Sequence, residues 1–419
     1  MLDIRLIRRD PDAVRAALAR RGDVDPDILE LVLRHDARRR EILPELEGLR
    51  AEQNAANQAI AAAKKAGEGA DEAIAKMRDV AGRAKALGDE LAAVDAELTP
   101  ALASLPNLPD ATAAPRDTVL KEVGEAWVPS WPVRDHLELA GDGIDMERGA
   151  RLSGSRFAYL KGSIARLELS LVSWAMDHLS GFGFVPVMPP VLVREEALYG
   201  TGFLPDTEQQ IYKLADDELY LAGTSEVALA SLHAGEILED LPLRYAGFSP
   251  CFRREAGAAG KDTRGIFRVH QFDKVEMFSF VDPARSVDEH ERLLSIEESI
   301  MQALNIPYRV VNIAVDDLGA SAAKKYDCEA WLPSQNRYRE LTSTSNTTDY
   351  QARRLEIRYR PEGAKRPETL HTLNGTAVAV GRTLIAMLEN GQQEDGSVVL
   401  PEVLRAYGAP EALPPASSD

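Results

Sequence analysis

Between Phe252 and Glu276 the chain reads FRREAGAAGKDTRGIFRVHQFDKVE, with charged side chains on both sides of a segment rich in Gly and Ala. Arg253 and Glu255 open the run, Lys261 and Arg264 fall in its middle, and Arg268, Phe272 and Glu276 close it. Arginine grips phosphate oxygens through two parallel N–H bonds, and glycine lets backbone approach a ligand closely. The apolar residues on the later flank (Val269, Phe272, Val275, Met277, Phe278) suit a strand, and the middle suits a mobile connection. An antiparallel hairpin with a basic loop between acid-bearing strands is a shape for holding a polyphosphate. Taken alone, the stretch fits a surface hairpin with its charges in solvent equally well, so the surrounding elements must decide.

The chain has 419 residues, 45% hydrophobic and 28% charged, which fits a soluble globular protein of two or three domains. Its net charge of −18 argues against general nucleic-acid binding. The charge is uneven: residues 1–104 hold 17 Lys and Arg against 20 Asp and Glu, and the remainder holds 32 against 47. A polyanion partner would therefore be met by local patches, with the N-terminal part the favoured place. Two cysteines, Cys251 and Cys328, make neither a disulfide framework nor a zinc site by themselves and suit a reducing cytosol. The start MLDIRLIRRDPDAV lacks the apolar run of a signal peptide. No stretch approaches the roughly 20 apolar residues of a membrane span. A cytoplasmic protein is expected.

The positioning elements follow in order. Leu2, Ile4 and Leu6 alternate as in a short strand, and Asp10 and Pro11 then start a helix that Gly22 closes. From Pro26 to about Leu105 the apolar spacing steps by fours and threes. One series runs Ile28, Val32, His35, Arg39, Ile42, Leu46, Leu49, Gln53, Ala56, Ile60 and Ala63; the second runs from Ala70 and Ala73 through Met77, Val80, Ala84, Leu87, Leu91, Val94, Leu98 and Ala101 to Leu105. Two such seams joined by KKAGEGA predict an antiparallel coiled-coil hairpin over 26–105 with its tip near 64–70. The faces away from the seams are almost wholly charged, Gln, Asn or Ala, which favours a projecting arm over a bundle buried in a globular domain. Pro44 should kink or restart the first helix. Residues 104–117 read as a linker. Beyond it a mixed α/β region is expected, with helices at 163–179, 283–304 and 376–388 and strands at 184–188, 219–221, 275–281, 308–313 and 355–359. The tail APEALPPASSD reads as disordered.

Three stretches resemble the motifs of class II aminoacyl-tRNA synthetases. GFVPVMPPVL (183–192) is similar to motif 1, ending at Pro190. FRRE through KVE is similar to motif 2. TAVAVGRTLIAML (376–388) is similar to motif 3, a small-residue strand leading into a helix near Arg382. Their order and separations, with MLDIRLIRR, TSE at 224–226, DDLGASAAKKYDCEAWLP, RELTSTSNTTDYQARR, HTLNGTAVAVGR and LPEVLR, resemble the bacterial-type seryl-tRNA synthetases from residue 1 to about 408. Two departures are small: Ala379 stands where class II enzymes often have Gly, and Gly381 where many have an acid.

The resemblance implies an α+β protein. Residues 1–108 would form a tRNA-binding domain with the coiled-coil arm. Residues 109–410 would form a catalytic core on a mixed, mainly antiparallel sheet flanked by helices, with a disordered tail at 411–419. It implies a serine–tRNA ligase of protein biosynthesis: ATP-dependent activation of L-serine to seryl-adenylate, then transfer to the 3′ end of tRNA(Ser), and of tRNA(Sec) where present. Arg253 and Arg382 would be the catalytic arginines, one on the α-phosphate and the serine carboxylate, the other on the far phosphates. Arg254, Glu255, Val269, Phe272 and the run Glu340, Leu341, Thr342, Ser343 would complete the ATP site, with Phe272 stacked on adenine and Glu255 accepting from its amino group. Glu340 and Ser343 would hold Mg²⁺; no zinc is expected. Thr224 and Glu226 would receive the substrate's ammonium, with Ser225 between them also in the serine site, and Glu276 and Thr376 would meet its hydroxyl. A site that hydrogen-bonds a hydroxyl rejects the analogue lacking it by about 10⁴–10⁵, so alanine is excluded, threonine is refused by lack of room, and no editing domain is expected.

A homodimer through motif 1 is implied, as is tRNA contact by the arm, for which Arg34, Arg38, Arg39, Arg40, Arg50, Lys64, Lys65, Lys76, Arg78, Arg83 and Lys85 are candidates as a set. Lys261 and Arg264 would meet the acceptor end. Two rival readings are a ligase that loads a carrier protein and a scaffold with a degenerate core. The first family lacks the long arm and uses metal-binding Cys and His, and the second would not need Arg253, Glu276, Glu340 and Arg382 together.

Overall fold

The computed structural model describes residues 1–22, 24–67, 71–205, 210–257, 260 and 262–416. It divides into two compact units, Leu2–Pro106 and Asn107–Asp419, with Met1 counted in the second.

The first unit is helical. Its start is not a strand but the helix α1 (Ile4–Arg9), because the Asp3 side chain accepts the Arg5 N–H and caps it. Burial falls on Leu2, ahead of the helix, and on Ile7 within it, not on 2, 4 and 6. Asp10 caps α2 (Pro11–Ala19), which ends three residues before Gly22; Gly22 takes φ 85° and returns its N–H to Ala19. α3 (Pro26–Ala66) and α4 (Asp71–Ser104) have 41 and 34 residues, hence about 60 and 50 Å each. Gly67, at φ 80°, caps α3 in the left-handed conformation.

The two seams meet: Ile42, Leu46 and Leu49 pack with Val80, Ala84 and Val94, and beyond Gln53 in α3 the only partly covered side chains are the seam residues. Two expectations for this hairpin need correction. Pro44 lies inside one continuous helix; it is exposed, so water can satisfy the Arg40 carbonyl that loses its N–H partner. In the second series Ala73 is exposed and Ile74 faces inward, a one-residue slip where alanines give the seam little to grip. Ala70 lies outside the described residues.

The second unit is built on an eight-stranded sheet. Its strands are β1 (Thr118–Val123), β2 (Val185–Val187), β3 (Leu243–Phe252), β4 (Gln271–Val281), β5 (Tyr308–Asn312), β6 (Lys324–Leu332), β7 (Arg337–Thr348) and β8 (His371–Ala379), in the order β1-β5-β6-β7-β8-β4-β3-β2. Every neighbouring pair is antiparallel except β2 with β3. Three helices, α5 (Gly162–Gly181), α6 (Ser286–Ala303) and α7 (Val380–Gly391), pack on this sheet. They share one core with Val275 and Met277 of β4. Side chains alternate along a strand, so Phe272, Lys274 and Glu276 point the other way.

Several boundaries differ from expectation. Thr376–Ala379 closes β8, and the helix begins at Val380, because these residues pair with β4. Of 355–359 only Arg358–Tyr359 is strand; Leu355 caps the helix Tyr350–Arg354. The tail is ordered through Leu413: Ala412–Leu413 pairs with Val398–Val399, and Leu413 is buried. Its last three residues lie outside the described set.

Candidate active site

β3 and β4 form the expected hairpin, with Phe252 opposite Gln271. Arg253 and Glu255 stand just past the end of β3, not on it, yet Arg253 still donates its N–H to the His270 carbonyl. The connection returns through Gly265, at φ 70°, where a Cβ would lie 1.9 Å from His136 Nε2. Only glycine fits there. The Ile266 N–H donates to the same Nε2, and Arg264 is ion-paired with Asp135. The Arg264 side chain stays largely exposed while it makes this pair. Lys261 lies outside the described residues.

The hairpin, β7, β8 and the start of α7 enclose a cavity of about 520 Å³. Thirteen of the fifteen residues singled out from the sequence line it. Arg254 is exposed and contributes a backbone N–H to Gln210, and Ser225 is buried with its hydroxyl 3.4 Å from the Gly247 carbonyl.

One end of the cavity is cationic. Arg253 donates Nε to the Gly223 carbonyl at 3.1 Å and lies 5.3 Å over the Phe272 ring. Arg382 stands in the first turn of α7, where free backbone N–H groups add positive partial charge. It donates to the carbonyls of Phe267 and Glu340 and pairs with the Glu340 carboxylate at 3.4 Å. The Phe267 ring is held between Arg382 and Arg339, 4.7 and 3.9 Å away. Burial pushes the Glu340 carboxyl up, but Arg382, Lys325 and Arg253 outweigh it and hold it below the ordinary range. Thr342 turns its hydroxyl away, donating to the buried Glu297 of α6 at 2.8 Å. Burial pushes the Glu297 carboxyl well above the usual carboxylate range.

The other end is small, polar and buried. Glu276 is 1% exposed and accepts from Thr376 at 3.2 Å, its register partner on β8. Glu226 accepts from Gln351 at 2.8 Å and from Asn374 at 2.9 Å, both on Oε1. Burial, with Glu276 nearby, pushes the Glu226 carboxyl up to about 7. Lys274, 6% exposed, pairs with Glu276 and donates to Thr224 Oγ1 at 2.6 Å. Lys274 and Asn374 were missed in the sequence, as was Arg268, which pairs with Glu255 at 2.9 Å inside the cavity. The alternation that placed Phe272 and Glu276 on one face also places Lys274 there, and it was the available signal.

A family model described as "tRNA synthetase class II core domain (G, H, P, S and T)" matches residues 211–391, and "Seryl-tRNA synthetase N-terminal domain" matches 1–109. A serine–tRNA ligase of Acidothermus cellulolyticus is 51% identical over 99% of this chain and all of its own. The chain belongs to the seryl-tRNA synthetase family. Its fold follows the crystal structure of seryl-tRNA synthetase from Pyrococcus horikoshii complexed with ATP, with TM-score 0.93, 42% identity and full coverage of both chains. The cytoplasmic serine–tRNA ligase of Naegleria fowleri in complex with AMP gives TM-score 0.87 at 31% identity, covering 100% of this chain and 99% of its own.

Proposed function

We propose that this chain activates L-serine with ATP to seryl-adenylate and passes the seryl group to the 3′ end of tRNA(Ser), and of tRNA(Sec) where it is present. The observation that carries this reading is the two-ended cavity: arginines at one end, and a buried pocket of two carboxylates and two hydroxyls at the other. The serine carboxylate attacks the α-phosphorus, and pyrophosphate leaves with the P–O bond electrons. There is little covalent chemistry for side chains to do, so positioning and charge stabilisation dominate. Arg253 holds the α-phosphate and the attacking carboxylate together. Arg382, fixed on Phe267, takes the charge that develops on the departing pyrophosphate. Phe272 and Val269 wall the adenine, with Glu255 facing its amino group. Glu226 and Thr224 receive the amino-acid backbone, and Glu276 with Thr376 reads the hydroxyl.

Mg²⁺ prefers oxygen donors and keeps water and phosphate in its shell. Glu340 and Ser343 fit that role: one carboxylate held ionised, one hydroxyl, both on the cavity wall. Among the described residues no group of three or more His, Cys, Asp and Glu is placed as a metal cage. Bound there, the ion would neutralise phosphate charge alongside the arginines.

The helical hairpin of the first unit is assigned to tRNA and the second unit to catalysis. A homodimer is supported by β2, an edge strand whose Val185 and following Met188 are 55% and 74% exposed, a poor surface to leave in water. Both cysteines are free and buried, which suits the cytoplasm. The test is ATP–pyrophosphate exchange by the purified chain with serine, alanine or threonine. Exchange with serine alone is expected, and none with serine would refute the reading.

A further inference from the structure

Three candidates outside the assigned residues stand out: the mixed-charge pocket around Arg244 and Arg285, the carboxyl pair of Glu168 and Asp273 behind Phe272, and the buried Lys274. Only the last has partners that point to a task. Burying an ion pair such as Lys274 with Glu276 is costly, and replacing both partners by apolar residues of similar size is often as stable or more so. The Lys274 charge is therefore a poor device for holding β4 in place.

Its hydrogen bonds fix what its neighbours can do. Thr224 Oγ1 accepts from Lys274 Nζ at 2.6 Å and from the Glu226 N–H at 3.1 Å. A hydroxyl has two lone pairs and one proton, so both acceptor positions are filled and the Thr224 O–H is left to donate. Glu276 Oε2 takes both Lys274 and Thr376. Among the described residues Oε1 receives nothing, and it remains an acceptor on the cavity wall. Both amide bonds to Glu226 fall on its Oε1, which leaves its Oε2 for a cation.

We propose that Lys274 is a positioning residue that locks Thr224 as a donor and Glu276 as an acceptor, so that the pocket reads the carboxylate, ammonium and hydroxyl of one small zwitterion. On this assignment Thr224 meets a substrate carboxylate oxygen, and the ammonium goes to Glu226 alone. The inference rests on serine being the amino acid bound.

The experiment is ATP–pyrophosphate exchange by K274M, E276Q and K274M/E276Q, with thermal unfolding of each. K274M should raise the serine KM about 10–100-fold, the worth of one or two hydrogen bonds to charged groups. The ATP KM should stay within about threefold and the preference for serine over alanine should fall. The double variant should raise the serine KM above that of E276Q, through the unlocked Thr224, but by a smaller factor than K274M raises it alone, since the rest of the effect acts through the shared carboxylate. A serine KM for K274M within about twofold of wild type overturns the proposal. So do serine and ATP KM rising together with a lowered Tm, or effects that simply add in the double variant. Should K274M fail to fold, the double variant, which removes both buried charges, decides by its comparison with E276Q. Wild-type protein that shows no exchange with serine would instead overturn the functional reading beneath.

Discussion

Glu226 is a carboxylate kept where its charge is costly. Burial, and then the neighbouring Glu276, raise it to about 7, against Lys274, Gln351 and Arg253 pulling down. A substrate ammonium needs the ionised form. Above 7 the carboxylate is ready, and as pH falls through 7 each bound substrate must first displace a proton. The serine KM should therefore climb toward about tenfold per pH unit on the acid side of 7 while the ATP KM stays flat. E226Q should start with a high serine KM and lose the climb. A serine KM in the wild type that is level from pH 6 to about 8 would contradict the assignment. The sequence disclosed this glutamate through the TSE run, but not its surroundings. Gln351 and Asn374 come from segments far away in the chain, and which amides meet one carboxylate is decided by the sheet order. Lys274 was within reach of alternation alone, since it sits two residues from Glu276 on the same strand.

Elements were legible where a hydrophobic period was present and obscure where it was not. The 4-3 spacing of α3 and α4 gave both helices, whereas β7, RYRELTSTSNTT, has no apolar alternation. It is held by buried hydroxyls that find partners, such as Thr344 on the Asn374 carbonyl at 2.9 Å and Thr347 on the Thr372 carbonyl at 2.7 Å. That strand carries Glu340 and Ser343, so the proposed ATP end rests on resemblance, not on pattern. The reverse error occurred at Pro44, where a local rule for breaking a helix lost to the seam on either side, Ile42 and Leu46, each 1% exposed. The cost of that proline should still be present. Pro44→Ala restores an N–H for the Arg40 carbonyl and should stabilise α3 by up to about 3 kcal/mol. Amide hydrogen exchange should slow for residues around 40–48, with no change in serine-dependent exchange activity. Exchange that is unchanged or faster there would show that α3 accommodates the ring without loss.

At the scale of the whole molecule the question is how a protein of net charge −18 holds a polyanion. Backbone recognition by Lys and Arg is a sum over several phosphate contacts and is steeply salt-dependent. The hairpin helices spend part of their basic set internally: Arg38 pairs with Glu90, Arg39 with Asp95, Lys76 with Glu52 and Arg83 with Glu45. Arg34, Arg50, Lys64, Lys65, Arg78 and Lys85 form no ion pair with another described residue, and they leave the hairpin a set of free cations that its net charge conceals. The side chains of Arg39 and Asp95 meet at 2.8 Å, so the two helices can be cut there and joined by a short Gly-Ser turn without stretching the chain. Replacing residues 40–94 in this way should leave serine-dependent ATP–pyrophosphate exchange within about twofold, because the cavity is built wholly from the second unit. Aminoacylation of tRNA(Ser) should fall at least about 100-fold, the loss expected when several phosphate contacts vanish. Substituting the six unpaired cations by Gln in the full chain should reproduce much of that loss and reduce the salt dependence of the tRNA KM. Aminoacylation at the wild-type rate after the deletion would remove tRNA recognition from the hairpin and return it to the catalytic unit.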